Sequence, residues 1–173
     1  QEKIYHWERV DIKLENALIL EANISTSSPV STGFNYFTAD FPDGIHADEF
    51  SALTIKNIYL GIDWQLNNNG TSGLKYQFVV APGANPNDIQ LNYLAQNGIT
   101  ITSEGAIKIP TQLGDLLDNA PVSFYAESEK PITTNYAINT TSDTSASIQF
   151  NITSFDATQT IIIDPELYWC TYY

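Results

Sequence analysis

The densest group of residues that could do chemistry is an acidic cluster between residues 39 and 49. It contains Asp40, Asp43, Asp48 and Glu49. Ca²⁺ takes six to eight oxygen ligands, which carboxylates and turn carbonyls can supply together. The spacing matches no EF-hand loop, so we expect a solvated acidic loop and no metal requirement for folding. These four residues are the candidates for Ca²⁺ binding if the ion binds at all.

The two histidines, His6 and His46, both have acidic neighbours. A zinc or catalytic site needs three converging ligands, and nothing in the sequence shows that these neighbours converge on either histidine. A serine hydrolase of the nucleophile-elbow type carries Gly-x-Ser-x-Gly, which this chain lacks. We therefore expect two surface histidines, no catalytic residues and no cofactor.

The single cysteine, Cys170, excludes a disulfide within the chain. A nucleophilic thiol needs a base and an electropositive site. Cys170 instead lies in a strand-like run between Trp169 and Thr171. This setting favours a buried structural cysteine.

Two other acidic residues, Asp63 and Asp164, each follow an isoleucine in a strand-like motif. We expect their carboxylates to cap backbone N–H groups at strand ends and turns. Trp7, Trp64 and Trp169 could include a platform for stacking sugars, although aromatic residues of β domains mostly lie in the core.

The chain of 173 residues has a net charge of −13, from 20 acidic and 7 basic residues. This balance argues against nucleic acid and against anionic membrane surfaces as partners, because both attract basic residues. No apolar run approaches the length of a membrane span, so we expect no membrane insertion. Gln1 is either a mature N-terminus left by signal cleavage or a boundary of the expressed segment.

The elements that must position these residues centre on a hairpin around residues 58–80. Leu74, Tyr76, Phe78 and Val80 alternate with polar or smaller residues, which predicts a strand with one buried face. Residues 58–65 form a second alternating run, and the Asn- and Gly-rich residues 67–73 join the two. A set of alternating residues should therefore be buried: Ile62, Trp64, Leu74, Tyr76, Phe78 and Val80.

The whole chain shows about a dozen short strand-like runs, with turn signals every eight to twelve residues and no amphipathic helix. This spacing predicts an all-β fold, an antiparallel β-sandwich-like single domain over residues 1–173. Near the acidic cluster we expect a loop over 25–33, a short aromatic strand over 34–37 and a turn at 41–44. Residues 82–86, Pro-Gly-Ala-Asn-Pro, should form a rigid turn.

The C-terminal residues 168–173 carry apolar side chains on both faces of a predicted strand. One face should pack on this domain, and the other should meet a neighbouring domain. We therefore predict interdomain contacts through Tyr168, Cys170 and Tyr172.

Four motifs carry a family resemblance: YLGID at 59–63, KYQFVV at 75–80, PGANP at 82–86 and IDPELYWCTY at 163–172. The chain resembles the N-terminal domain of unknown function that precedes β-propeller-type SBBP repeats in large secreted Bacteroidetes proteins. Leu60 replaces that family's usual proline and Gln77 its usual acidic residue. The resemblance implies secretion, through the type IX pathway, to an extracellular or cell-surface location, with a repeat domain following. It implies no enzymatic activity.

From these observations we expect a non-catalytic extracellular structural or adhesive module. A carbohydrate-binding module is the alternative, and a hydrolase is the least supported reading. The expected partner is the following repeat domain or another protein, contacted through the C-terminal strand. A glycan is the alternative partner.

Overall fold

The computed structural model describes residues 8–27, 29–68, 74–112, 114–165 and 167–168. Within them the chain is all-β, as predicted, with seventeen strands and two single 3-10 turns, Glu21–Asn23 and Pro86–Asp88. The strands are β1 Asp11–Leu14, β2 Ile24–Thr26, β3 Pro29–Thr38, β4 Phe41–Phe50, β5 Ala52–Tyr59, β6 Ile62–Asn68, β7 Leu74–Val80, β8 Gln90–Leu94, β9 Thr100–Ile101, β10 Ile107–Thr111, β11 Gly114–Asp118, β12 Val122–Tyr125, β13 Pro131–Ile132, β14 Thr134–Ser142, β15 Ser145–Ile152, β16 Ile161–Asp164 and β17 Leu167–Tyr168.

These strands form four antiparallel sheets. The largest has the order β13-β12-β16-β7-β6-β5-β2, and a four-stranded sheet has the order β1-β8-β15-β14. A second four-stranded sheet, β17-β11-β10-β9, is built from short strands, and β3 pairs with β4 in a two-stranded ribbon. No helix among the described residues is long and apolar enough to cross a membrane.

The core lies where the seven-stranded sheet meets the sheet of β1, β8, β15 and β14. Phe78 on β7 contacts Phe150 on β15, with ring centroids 5.8 Å apart, and Phe150 contacts Tyr136 on β14 at 5.5 Å. Isoleucine, whose branched side chain fits a pleated surface, supplies much of the remaining core. This packing of two sheets matches the predicted sandwich-like arrangement.

The predicted central hairpin is present as β6 and β7, with Trp64 opposite Phe78. Ile62, Tyr76, Phe78 and Val80 are buried as expected, while Trp64 is only half-buried. The side chain of Leu74, which was also expected in the core, lies outside the described part of the structure.

The predicted single run over residues 58–65 is wrong, because β5 ends at Tyr59 and β6 begins at Ile62. Leu60 and Gly61 make a tight turn between them, so Leu60 is 89% exposed rather than on the core face. Gly61 has φ +72°, a conformation that favours glycine. The alternation misled here because a two-residue turn preserves the apolar–polar pattern across it.

The predicted loop and turn around the acidic cluster are also wrong, because residues 29–50 form the long ribbon of β3 and β4. We call this ribbon the hairpin arm. Pro42 and Gly44 indicated a turn. They lie instead on β4, in an irregular part of the ladder, opposite the step from Tyr36 to Thr38 on β3. A proline, which lacks a backbone N–H, is tolerated at such a position because each strand of a two-stranded ribbon has one unpaired edge. The segment 82–86 does turn, and Asn85 caps the 3-10 turn that follows it.

Candidate functional site

The hairpin arm continues outward from the edge of the seven-stranded sheet. Its first strand follows β2, and its second leads into β5, with which β2 pairs. At the base, the Ser27 and Ser51 hydroxyls lie 2.9 Å apart, and the Ala52 amide donates to Ser27 Oγ at 3.0 Å. Beyond this base, β3 and β4 contact chiefly each other among the described elements.

One face of the arm is apolar and exposed. Phe34 and Tyr36 alternate on β3, and Ala47 and Ile45 lie opposite them on β4, so all four side chains share a face. The Phe34 and Tyr36 rings contact each other, with centroids 6.5 Å apart and planes tilted by 43°. Each of these aromatic residues is 55% exposed, and Ile45 is 43% exposed. An apolar face of this kind marks an interaction surface more often than a free one.

The opposite face of the arm is polar. Asn35 lies across from His46, and His46 Nδ1 is 3.0 Å from Asn35 Oδ1. His46 Nε2 is 3.4 Å from a carboxylate oxygen of Asp48. The arm is therefore amphipathic, and Phe37, which covers Gly44, is the exposed apolar exception near its tip.

The acidic cluster lies on this arm. Asp40 occupies the turn between the two strands, while Asp43, Asp48 and Glu49 lie on β4. Asp40, Asp43 and Asp48 are exposed and Glu49 is half-buried. Most of these carboxylates are therefore solvated as expected, although they lie on a strand and its turn and not in the expected loop. No group of three potential metal ligands occurs among the described residues. The arm bears four carboxylates and no lysine or arginine between residues 29 and 50, a formal charge of −4.

A second polar cluster, which the sequence did not reveal, is buried at the centre of the domain. The carboxylate of Asp118, on β11, is fully buried and accepts three tyrosine hydroxyl hydrogen bonds. Tyr76 and Tyr93 donate to Oδ2 at 2.8 and 2.5 Å, and Tyr136 donates to Oδ1 at 3.0 Å. The donors come from β7, β8 and β14, so this one carboxylate joins three sheets.

The pKa values of this cluster reflect its burial. Burial raises the pKa of the Asp118 carboxyl group, and the three hydroxyl hydrogen bonds oppose that rise. Burial also raises the pKa of Tyr76, Tyr93 and Tyr136 well above the usual value for tyrosine. A perturbed carboxyl group is a catalytic candidate when it faces a cleft. Asp118 is fully buried and tied to three donors, which is the arrangement of a structural polar network.

The two strand-motif aspartates behave differently from each other. Asp63 accepts a hydrogen bond from the Asn57 amide at 2.8 Å, which confirms the predicted backbone cap. Asn57 has φ +52°, so the carboxylate stabilises an irregular point of β5. For Asp164 the prediction is wrong, because its Oδ2 pairs with Lys75 Nζ at 2.8 Å. Two of the sequence motifs therefore meet through an ion pair across neighbouring strands.

Two concave regions are formed by the described residues. The first, about 540 Å³, is lined by Trp64, Tyr76 and several aliphatic side chains, with Lys13 as its charged residue. The second, about 520 Å³, contains Tyr59 and a single carboxylate, that of Asp88. Neither brings together the pair of carboxylates that glycoside hydrolysis requires.

Several residues named from the sequence lie outside the described part of the chain. They are His6, Trp7, Trp169, Cys170 and Tyr172. Tyr168 is placed only by its backbone, which pairs with Leu117 of β11. The interdomain contacts predicted for Tyr168, Cys170 and Tyr172 therefore stay predictions.

The sequence carried a signal for the arm but none for the buried cluster. Phe34, Tyr36, Ile45 and Ala47 alternate within their own segments, which is the period of a strand with one apolar face. Serine, proline and glycine around them hid that period. No local pattern sets Asp118 apart from the other acidic residues, because its three donors lie 18 to 42 residues away.

Comparison with known proteins identifies one family. A family described as "Domain of unknown function (DUF7948)" matches residues 1–166. No curated protein and no solved structure matches the chain.

Proposed function

We propose that this chain, which belongs to the DUF7948 family, is a non-catalytic adhesive or structural module of a larger extracellular protein. The observation that carries this proposal is the amphipathic hairpin arm with its exposed apolar face. A two-stranded hairpin is at best marginally stable alone in water, so a long arm with exposed aromatic residues suits a surface that is completed by a partner.

The form of the aromatic face favours a protein partner over a sugar. The Phe34 and Tyr36 rings are tilted by 43° to each other and so do not form one flat platform for a sugar ring. Aromatic residues beside a polar rim are instead common in protein interfaces. A carbohydrate-binding module is therefore the weaker of the two binding functions.

The wider setting of the module rests on the sequence resemblance. The matching motifs support a place before β-propeller-type repeats in a secreted Bacteroidetes protein, exported by the type IX pathway. In such a protein the C-terminal strand β17, which belongs to the sheet β17-β11-β10-β9, would lead toward the repeats, while the arm extends from β2 and β5 of the seven-stranded sheet. The arm would then be free to meet a second protein.

The experiment is a selection of binding peptides with matched variants. A random-peptide display library is panned against the purified chain, and each enriched peptide is tested against the double variant Phe34→Ser/Tyr36→Ser. The control is Leu60→Ser/Val122→Ser, which removes two other exposed apolar side chains, 89% and 62% exposed, outside the arm. Melting curves of both variants verify that they fold.

We expect the arm variant to lose most of the peptide binding and the control variant to keep it. Enriched peptides that bind both variants equally well would refute the arm as the interaction surface. The same proteins on a glycan array test the alternative, because arm-dependent glycan binding without peptide binding would replace a protein partner with a sugar.

A further inference from the structure

The exposed edge of β3 differs from the other sheet edges of the described structure. Edge strands are usually protected by shortness, charge or proline, because their unpaired N–H and C=O groups can bind another strand. Here β2, β9, β13 and β17 are two or three residues long, β1 has four residues of which two are charged, and β4 carries Pro42 and three carboxylates. β3 has ten residues, none of them charged, and its only proline is its first residue.

The usable part of this edge is residues 34–38. The ladder with β4 is irregular between Val30 and Phe34, where β3 has the extra residues, and then β3 continues without an insertion to Thr38. Five residues is an ordinary strand length. β14 is also a long edge strand without charge, but its exposed residues are polar apart from Ala137, and none of them is aromatic. Within the described part of the chain, β3 therefore combines an open backbone edge with exposed aromatic side chains.

The two faces of the arm determine which side chains an added strand would carry. Alternate residues of that strand would lie beside Phe34 and Tyr36, where apolar side chains fit. The residues between them would lie on the face of Asn35, His46 and Asp48. Neighbouring strands are about 4.8 Å apart, so that face places them about 10 Å from β4 and its Asp48 carboxylate, near one Debye length.

Charge selects the identity of the partner. The arm has a formal charge of −4 and the whole chain −13. A second copy of the chain would bring like charges together, whereas a segment with lysine or arginine would be attracted to the arm. Long basic side chains can also reach back toward the carboxylates while their stems cover apolar surface.

We propose that the outer edge of β3, at residues 34–38, binds an extended segment of another polypeptide in which apolar residues alternate with lysine or arginine. The segment adds as a further strand to the arm, with backbone hydrogen bonds to β3 and its apolar side chains beside Phe34 and Tyr36. This inference rests on the proposed function and adds the chemistry of the partner to it.

The test uses three synthetic nine-residue peptides with the same apolar residues at alternate positions. The positions between them are all Lys, all Glu or all Ser. Binding to the whole chain is measured by fluorescence anisotropy between 50 and 500 mM NaCl. We expect the Lys peptide to bind best, and its Kd to rise about tenfold over this salt range as the charges are screened.

A charge-neutral variant of the arm, Asp40→Asn/Asp43→Asn/Asp48→Asn/Glu49→Gln, should weaken binding of the Lys peptide about tenfold, since rim charges act mainly through attraction. The matched control neutralises four exposed carboxylates in other turns, Glu104→Gln/Glu127→Gln/Glu129→Gln/Asp143→Asn, and should leave Kd within about twofold. Hydrogen exchange should show that the bound peptide protects amides of residues 34–38 and not those of β4.

The outcomes separate this inference from the proposed function. Equal binding of the Lys, Glu and Ser peptides would overturn the inference of a basic partner strand, and so would amide protection away from β3. The proposed function of the arm would still stand if the peptides enriched by panning require Phe34 and Tyr36. Peptides that bind the Phe34→Ser/Tyr36→Ser variant normally overturn both. Sedimentation of the chain as a dimer with residues 34–38 protected would make a second copy the occupant and overturn the basic partner.

Discussion

Replacing Asp118 tests whether the buried cluster holds the three sheets together. Asp118→Ala removes the acceptor of three buried hydroxyl groups, those of Tyr76, Tyr93 and Tyr136. Asp118→Asn keeps one acceptor oxygen, and its amide group can donate to a hydroxyl that rotates. The two variants therefore differ in how many polar groups they leave without a partner.

The size of the effect follows from those three hydrogen bonds. Each buried hydroxyl left without a partner costs about 1–3 kcal/mol. Relief of the buried charge offsets part of that loss. We therefore expect Asp118→Ala to lower the free energy of unfolding at pH 7 by about 3–5 kcal/mol and Asp118→Asn by about 1–2 kcal/mol.

The measurement is urea unfolding followed by tryptophan fluorescence. The control is Asp115→Ala on the same strand, because Asp115 forms an exposed ion pair with Lys108 at 2.6 Å. An exposed pair of this kind contributes about 1 kcal/mol or less. If Asp118→Ala unfolds at the same urea concentration as Asp115→Ala, the cluster does not stabilise the fold and the reasoning is refuted.

The pH dependence gives a second test of Asp118. Its pKa is raised in the folded chain, so the folded state keeps the proton at a pH where the unfolded chain has lost it. Its contribution to stability is then complete below the unfolded pKa of about 3.9 and is lost as pH rises through the folded pKa. The stability of the wild type minus that of Asp118→Asn should fall as the pH rises above about 4. A difference that rises with pH would mean that the three tyrosines outweigh burial.

Four further outcomes follow from the structure. Phe78→Ala should lower the free energy of unfolding by about 3–5 kcal/mol, because the fully buried ring leaves a cavity between the sheets; a loss below about 1 kcal/mol in urea unfolding would contradict the observed register. Gly61→Ala should cost about 1–2 kcal/mol, because its φ is +72° and the new Cβ would lie 3.0 Å from Ala84 Cβ; a rise in melting temperature would contradict this strain. Hydrogen bonds from Gln159 and Thr158 lower the pKa of Asp156 to about 2. In Thr158→Ala this pKa, measured by NMR titration, should rise toward about 3.9. The contribution of Asp156 to the stability of the wild type should be lost as the pH falls through about 2. Ca²⁺ should leave the melting temperature unchanged, and an increase of many degrees would show that the arm's carboxylates bind it.

Local patterns in the sequence were enough to predict the β class and the central hairpin. Tyr76, Phe78 and Val80 alternate with Lys75, Gln77 and Val79, and because side chains of a strand point alternately to opposite faces, this pattern predicts which of them are buried. Asp63 could also be assigned as a backbone cap, since its acceptor role depends on a nearby residue, Asn57.

Turns that keep the alternating pattern of apolar and polar residues could be located only in the structure. Tyr59 and Ile62 would be on opposite faces of one continuous strand, yet they face each other across the Leu60–Gly61 turn. In the hairpin arm, the irregular pairing around Gly33 and Gly44 allows two long strands where glycine and proline indicated loops. The positions of these turns and strands depend on strand pairing and on bulges, and the periodicity of the sequence does not reveal either of them.

Only the tertiary structure decided the roles of the isolated charges. Asp118 looks like any other acidic residue in the sequence, and Asp164 looked like a backbone cap. Folding places Asp118 among three hydroxyls from two other sheets and Asp164 beside Lys75. The same folding leaves Phe34 and Tyr36 exposed on the arm, although their residue types would favour the core. Burial and partner choice are set by contacts between residues far apart in the chain, so local spacing predicts strands but not which strand faces a partner.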